Sequence, residues 1–183
     1  MDTRSPRQAG LTALCLGVFA TIWFSVPAAE PPLRALLVVA SGGALLTAFG
    51  GAALVLRAGR AGSALPRDRR ADRRYLVIVT VEFAVAVLGA ALLAALRRGE
   101  YVPVLVCAVV GAHFPPLAPV LRDRLLVPLG VAMCLLALAG LVVALVSSAQ
   151  AGLVVGTGAG LLLWAYALLA LLRAPTRAGS RGR

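Results

Sequence analysis

The amino-acid sequence predicts an all-α fold, a polytopic transmembrane helix bundle with six spans. Three observations predict it. The chain of 183 residues is 61% hydrophobic and only 14% charged, with a mean hydropathy of +0.94, where a soluble domain carries roughly 25% charged residues. Its apolar residues are not spaced to make one buried stripe; they run on without interruption, as in helices that meet lipid or other apolar helices all round. Every basic residue is arginine, and fifteen of the eighteen fall on one side of the map that those runs define. Barrel strands are short and alternate apolar with polar residues, so the runs are read as helices.

A crossing takes about 20 residues at a rise of 1.5 Å, and each run is long enough. Residues 1–10 form an N-terminal segment with Arg4 and Arg7, and the first span is Leu11–Ala29. This start also has the form of a signal peptide, with two arginines, an apolar stretch and the small-residue run Val26-Pro27-Ala28. Cleavage after Ala28 would leave five spans; the uncleaved helix is the reading adopted. Leu14 before Cys15 is too large for a lipoprotein signal. The second span is Ala35–Leu56, with Gly43, Thr47 and Gly51 at four-residue spacing. The connection 57–74 is the only sizeable one and contains Arg67, Arg69, Arg70, Arg73 and Arg74. It reads as an anchor on anionic lipid or a docking surface for a protein partner. The third span, Tyr75–Leu96, joins the fourth, Tyr101–Leu121, through a short turn. The fifth is Leu125–Val146 and the sixth Ala151–Leu172, which carries Gly152, Gly156 and Gly160. Small residues at that spacing let a neighbouring backbone approach closely. They fit either packing against the Gly43–Gly51 face within the chain or a homodimer seam. The tail 173–183 is basic, contains Gly and Pro, and is expected to be disordered. The segments 1–10, 11–172 and 173–183 thus enclose a single membrane domain.

Arginine placement sets the expected orientation. With the N-terminus in the cytoplasm, only Arg34, Arg97 and Arg98 lie outside. The expectation is a multi-pass protein of the inner (plasma) membrane with both termini cytoplasmic. The net charge of +11 does not indicate nucleic acid, because the arginines sit at span ends without interleaved aromatics. Cys15, Cys107 and Cys134 fall inside spans, without a C-x-x-C pair, and read as small apolar residues. No G-x-S-x-G, H-E-x-x-H or P-loop pattern occurs, so neither an enzyme nor a cofactor is expected. One histidine and one buried acid are too few to hold a metal.

Glu82 is the one acid inside a span. Ile78, Val79, Val85 and Ala86 occupy its neighbouring helical positions, so its own helix offers no partner. A charged side chain at mid-helix costs at least ~2.5 kcal/mol on insertion scales. Glu82 must therefore be protonated, hydrated or paired across helices. His113, the only histidine, lies in the fourth span. Counting at 1.5 Å per residue puts Glu82 roughly 10 Å and His113 roughly 12 Å from the same membrane surface. An antiparallel third and fourth span would bring the two together. Tyr166 and Thr47 fall near the same level and would complete a polar cluster. A carboxyl and an imidazole in contact can serve as a proton relay or as a bond between helices.

Beside His113, Pro115 and Pro116 remove two consecutive helical N–H donors, and Pro119 repeats the effect. The fourth helix is expected to be kinked or broken there, and broken helices near mid-membrane often line binding sites. The run Gly111-Ala112-His113-Phe114-Pro115-Pro116-Leu117-Ala118 resembles a G-x-H-F-x-P-L-A pattern of small, uncharacterised bacterial multi-pass membrane proteins. That resemblance covers the third to fifth spans and implies no activity. Two functions stand. One is a small proton-linked transporter or channel with an intramembrane Glu/His site. The other is a structural or regulatory membrane subunit that binds a partner through the connection 57–74.

Overall fold

The computed structural model describes residues 5–60, 69–121, 123–147 and 150–174. It has six helices long and apolar enough to cross a membrane: α1 (Pro6–Phe24), α2 (Leu33–Arg60), α3 (Arg69–Ala95), α4 (Val102–Leu121), α5 (Leu126–Val146) and α6 (Ala151–Leu172). The chain is an integral, multi-pass, all-α membrane protein.

Several boundaries differ from the sequence expectation, each for a local reason. The first helix starts at Pro6, not Leu11. Ser5 Oγ accepts a hydrogen bond from the Gln8 amide at 3.2 Å, and Gln8 Oε1 accepts one from the Ser5 amide at 3.1 Å. This reciprocal cap, followed by proline at the first helical position, is a strong start signal. The helix ends at Phe24, before Pro27, instead of reaching Ala29. The described residues of the connection 57–74 are helical: α2 continues to Arg60 and α3 begins at Arg69. Arg67 lies outside the described residues. At the far end of α3, Arg97 adopts φ 55°, and the Arg98 and Arg97 amides donate back to Leu93 O and Ala94 O. These bonds satisfy carbonyls that a helix end leaves open.

Neighbouring helices alternate in direction, as their contacts require. Gly10 meets Gly51 and Gly17 meets Ala44 across α1 and α2, while Gly111 meets Cys134 and Gly130 across α4 and α5. Among the described residues, Pro6, Arg57, Arg60, Arg73, Arg74, Arg124 and Arg173 therefore share one end of the bundle. Arg34, Arg97 and Arg98 share the other. The centre is α6, which touches α1, α2, α4 and α5. The core gathers around it, with Val155, Ala159, Leu163 and Ala167 of α6 set against Ala20, Trp23 and Phe24 of α1 and Leu129 and Met133 of α5. In contrast, α3 packs on α4 and on the short turn before it.

Apolar burial between helices gains little where lipid is the alternative, so close backbone contact carries the bundle. The glycine faces provide it, but not against each other as expected. A Cβ built on Gly156 would sit 2.8 Å from Pro27, and one on Gly160 would sit 2.6 Å from the Phe24 ring. The glycine face of α6 thus receives α1 and the chain just beyond it. Gly51 also faces α1, and Gly43 accepts the Trp164 ring. These small residues pack within the chain.

The fourth helix is not broken. It runs as α-helix through Pro115, Pro116 and Pro119 to Leu121. The loss of the Pro115 donor is accommodated at the α4–α5 seam. A Cβ built on Gly130 would lie 2.6 Å from Gly111 O and 2.7 Å from Pro115 Cδ. The carbonyl that proline deprives of its partner is thus covered by the backbone of α5, which protects it from lipid. Nearby, Cys107 Sγ donates to Met133 O at 3.4 Å. Asp123 closes the turn that follows: its amide donates to Ala118 O, and its carboxylate accepts from the Leu125 amide at 2.9 Å.

Candidate functional site: an intramembrane carboxylate–imidazole pair

One face of α3 turns toward α4. Ile78, Glu82, Ala86, Gly89 and Leu93 follow helical spacing and are half-buried, while the opposite side of the helix is exposed. Gly89 receives Leu105 of α4, and two turns away Glu82 reaches His113. Glu82 sits at the midpoint of α3, well inside the membrane span.

Glu82 Oε2 lies 2.9 Å from His113 Nδ1. The approach is off the N–H direction, so this is a close polar contact and not a directed hydrogen bond. Side-chain exposure is 18% for Glu82 and 9% for His113. The pair is mostly shielded but not sealed, and it lies at the edge of the bundle instead of its centre. The reason is the geometry of α4. Its Cys107, Gly111, Phe114 and Ala118 face α5 and α6, which leaves His113 on the flank that α3 covers. The His113 ring also meets the Phe114 ring, with centroids 5.8 Å apart.

Thr47 and Tyr166 do not join the pair. Thr47 is buried on α2, where Trp164 Nε1 donates to its hydroxyl at 2.9 Å and the hydroxyl donates to Gly43 O at 2.8 Å. This chain of bonds ties α6 to α2. Tyr166 packs against the α6 core. Depth alone suggested a common cluster, but two helices between α2 and α3 keep them apart. Trp164 and Asp123 were missed by sequence reasoning. A buried indole needs an acceptor, and an aspartate just before an apolar run is a helix-start signal; both cues were present in the chain.

Arg73 and Arg74 are exposed at the start of α3, with Arg69 and Arg70 in its first turns. Two cavities lie at the end of the bundle that holds Arg34, Arg97 and Arg98. One, of about 220 Å³, is bounded by Phe24, Ser25, Pro27, Arg34, Leu37, Val38 and Ser41. The other, of about 400 Å³, lies among Gly99, Glu100, Pro103, Ser147, Gln150 and neighbouring residues. Neither includes Glu82 or His113. Among the described residues no group of three His, Cys, Asp or Glu side chains could hold a metal ion. No family model, curated protein or solved structure matches this chain.

Proposed function

We propose that this protein is a non-enzymatic structural or regulatory subunit of the plasma membrane, with both termini in the cytoplasm. One observation carries the reading: the Glu82–His113 contact closes the seam by which α3 is attached to the bundle, and it borders neither cavity. A transport pathway needs polar groups along a route through the protein. A helix joint needs only the pair. The G-x-H-F-x-P-L-A run supports the same view, because its residues are engaged in packing. Gly111 meets α5, His113 meets Glu82, Pro115 meets Gly130, and Phe114, Leu117 and Ala118 are buried. The likeness to small bacterial membrane proteins is then a likeness of helix seams. The basic end of the bundle, with exposed Arg57, Arg60, Arg73 and Arg74, is the surface offered to anionic lipid or to an acidic partner.

A second reading rests on the 2.9 Å distance itself. A carboxylate and an imidazole this close can pass a proton between them, which is the chemistry of a proton-linked transporter or channel. Proton flux into proteoliposomes, wild type against Glu82→Gln, separates the two. The subunit reading expects no flux from either protein. It also expects that a disulfide between cysteines placed at Gly89 and Leu105 forms less readily once Glu82 is Gln. Flux that Glu82→Gln abolishes would overturn it in favour of the proton path.

A further inference from the structure

The cavity between α1 and α2 has the chemistry of an anion site with a lipid-facing wall. Its polar groups are Arg34, in the first turn of α2, and the hydroxyls of Ser25 and Ser41. Phe24, Pro27, Leu37 and Val38 supply the rest. Among the described residues Arg34 is one of three arginines at this end of the bundle, where the proposed topology does not ask for positive charge. The other two lie at the α3–α4 turn, and there Arg98 has Glu100 at 3.9 Å. Arg34 has no carboxylate at ion-pair distance among the described residues. Its planar guanidinium matches phosphate oxygens in two-point contacts.

The hydroxyls differ in their availability. Ser25 Oγ donates to Thr21 O at 3.0 Å, so its proton is used. Ser41 Oγ makes no hydrogen bond among the described residues, and its proton is free to turn toward an acceptor. Ser41 lies two turns along α2 from Arg34, roughly 10 Å deeper. The wall between them is apolar, formed by Leu37 and Val38. Next to Ser41, a Cβ built on Gly42 meets nothing within 4 Å, so the helix surface is open there. At about 220 Å³ the cavity is smaller than a typical ligand pocket of 300–1,000 Å³. It has room for a headgroup and not for whole acyl chains, which would lie along the open surface of α2.

We infer that this cavity binds a phosphate-bearing anion, with the phosphate on Arg34, and that the natural source is the headgroup of an anionic phospholipid in the leaflet at this end of the bundle. The apolar wall continuing from Arg34 toward Gly42 favours a lipid over a free anion, since a soluble phosphate has no use for it. This inference does not depend on the role of Glu82 and His113.

The test is native mass spectrometry of protein released from nanodiscs of phosphatidylglycerol or of phosphatidylcholine. Three proteins are compared: wild type, Arg34→Gln, and Arg98→Gln as a control at the same end, whose arginine has Glu100 at 3.9 Å. The expected result is that Arg34→Gln retains one phosphatidylglycerol fewer than wild type, that Arg98→Gln matches wild type, and that phosphatidylcholine shows no such difference. Equal retention by Arg34→Gln and wild type overturns the lipid assignment. Thermal unfolding in neutral detergent with inorganic phosphate provides the second arm. Stabilisation of wild type but not Arg34→Gln, with no difference in lipid retention, assigns the site to a soluble anion instead. No effect of Arg34→Gln in either arm removes the site altogether.

Discussion

At the scale of single residues, the most constrained contacts are those where a side chain of one helix fills the space of a missing one. Gly43 is the clearest case. A Cβ there would sit 2.6 Å from Cζ2 of Trp164, and that ring is held by its N–H bond to Thr47 and its edge-on contact with Phe24, centroids 6.2 Å apart. The ring cannot move aside without losing both. Gly43→Ala is expected to destabilise the protein by about 1–3 kcal/mol through overpacking, read as a lower midpoint of thermal unfolding in detergent. Trp164→Phe in the same background should recover part of the loss, because a smaller ring relieves the clash. A Gly43→Ala protein as stable as wild type would show that the indole is not held as described. The glycine was visible in the sequence as part of a four-residue pattern. Its partner was not, because the spacing of small residues says that something approaches closely and not what approaches.

At the scale of elements, the fourth helix carries the strongest local signals against a continuous helix. Three prolines predict a kink or a break, and the helix is not broken. Propensity is decided by the fate of the freed carbonyls, and in a membrane that depends on the neighbouring helix. Gly130 lets the backbone of α5 come against Gly111 O and Pro115. Gly130→Ala is accordingly expected to cost about 3 kcal/mol, at the upper end of overpacking effects, since two of the atoms it meets are a carbonyl and a constrained ring. Gly42→Ala, placed in open space on α2, is expected to stay within about 0.5 kcal/mol of wild type. Unfolding of both variants in one detergent compares them directly. If the two substitutions cost the same, the α4–α5 seam does not support the proline segment. The seam between α3 and α4 is of another kind. It has one polar contact at its middle and one glycine fit near its end, and no residue of α3 from Arg73 onward is fully buried. This helix is the one whose attachment a single substitution at Glu82 should loosen.

At the scale of the whole molecule, the alternation of helices sorts the charges. Arg57, Arg60, Arg73, Arg74, Arg124 and Arg173 all fall at the end where α1 begins and α6 finishes. If that end is cytoplasmic, a reporter active only in the cytoplasm should work when fused after Arg183. It should be silent when inserted at Gly99, in the turn before α4. The reverse pattern would invert the proposed topology and place the Arg34 cavity in the cytoplasmic leaflet. The first helix also belongs at this scale. Ala13 and Ala20 are fully buried, and α1 fills the groove between α2 and α6. Its buried face joins the core that gathers around α6.

By itself, the sequence determined the number of helices, their approximate limits, the sorting of arginine to one end, and the need of Glu82 for a partner on another helix. These follow from transfer free energies along the chain, which each segment carries regardless of its neighbours. The choice of His113 was also legible, because a short turn makes successive helices antiparallel and depth then pairs the two residues. Only the tertiary structure decided which helices touch. It placed Thr47 with Trp164 instead of with Glu82, gave the glycines of α6 to α1, kept α4 whole and set the polar pair at the bundle's edge. In lipid, an apolar helix face is equally at ease against acyl chains or any neighbouring helix. The order of helices is therefore set by steric fit and a few hydrogen bonds, which exist only between segments and leave no mark in the hydropathy of any one of them.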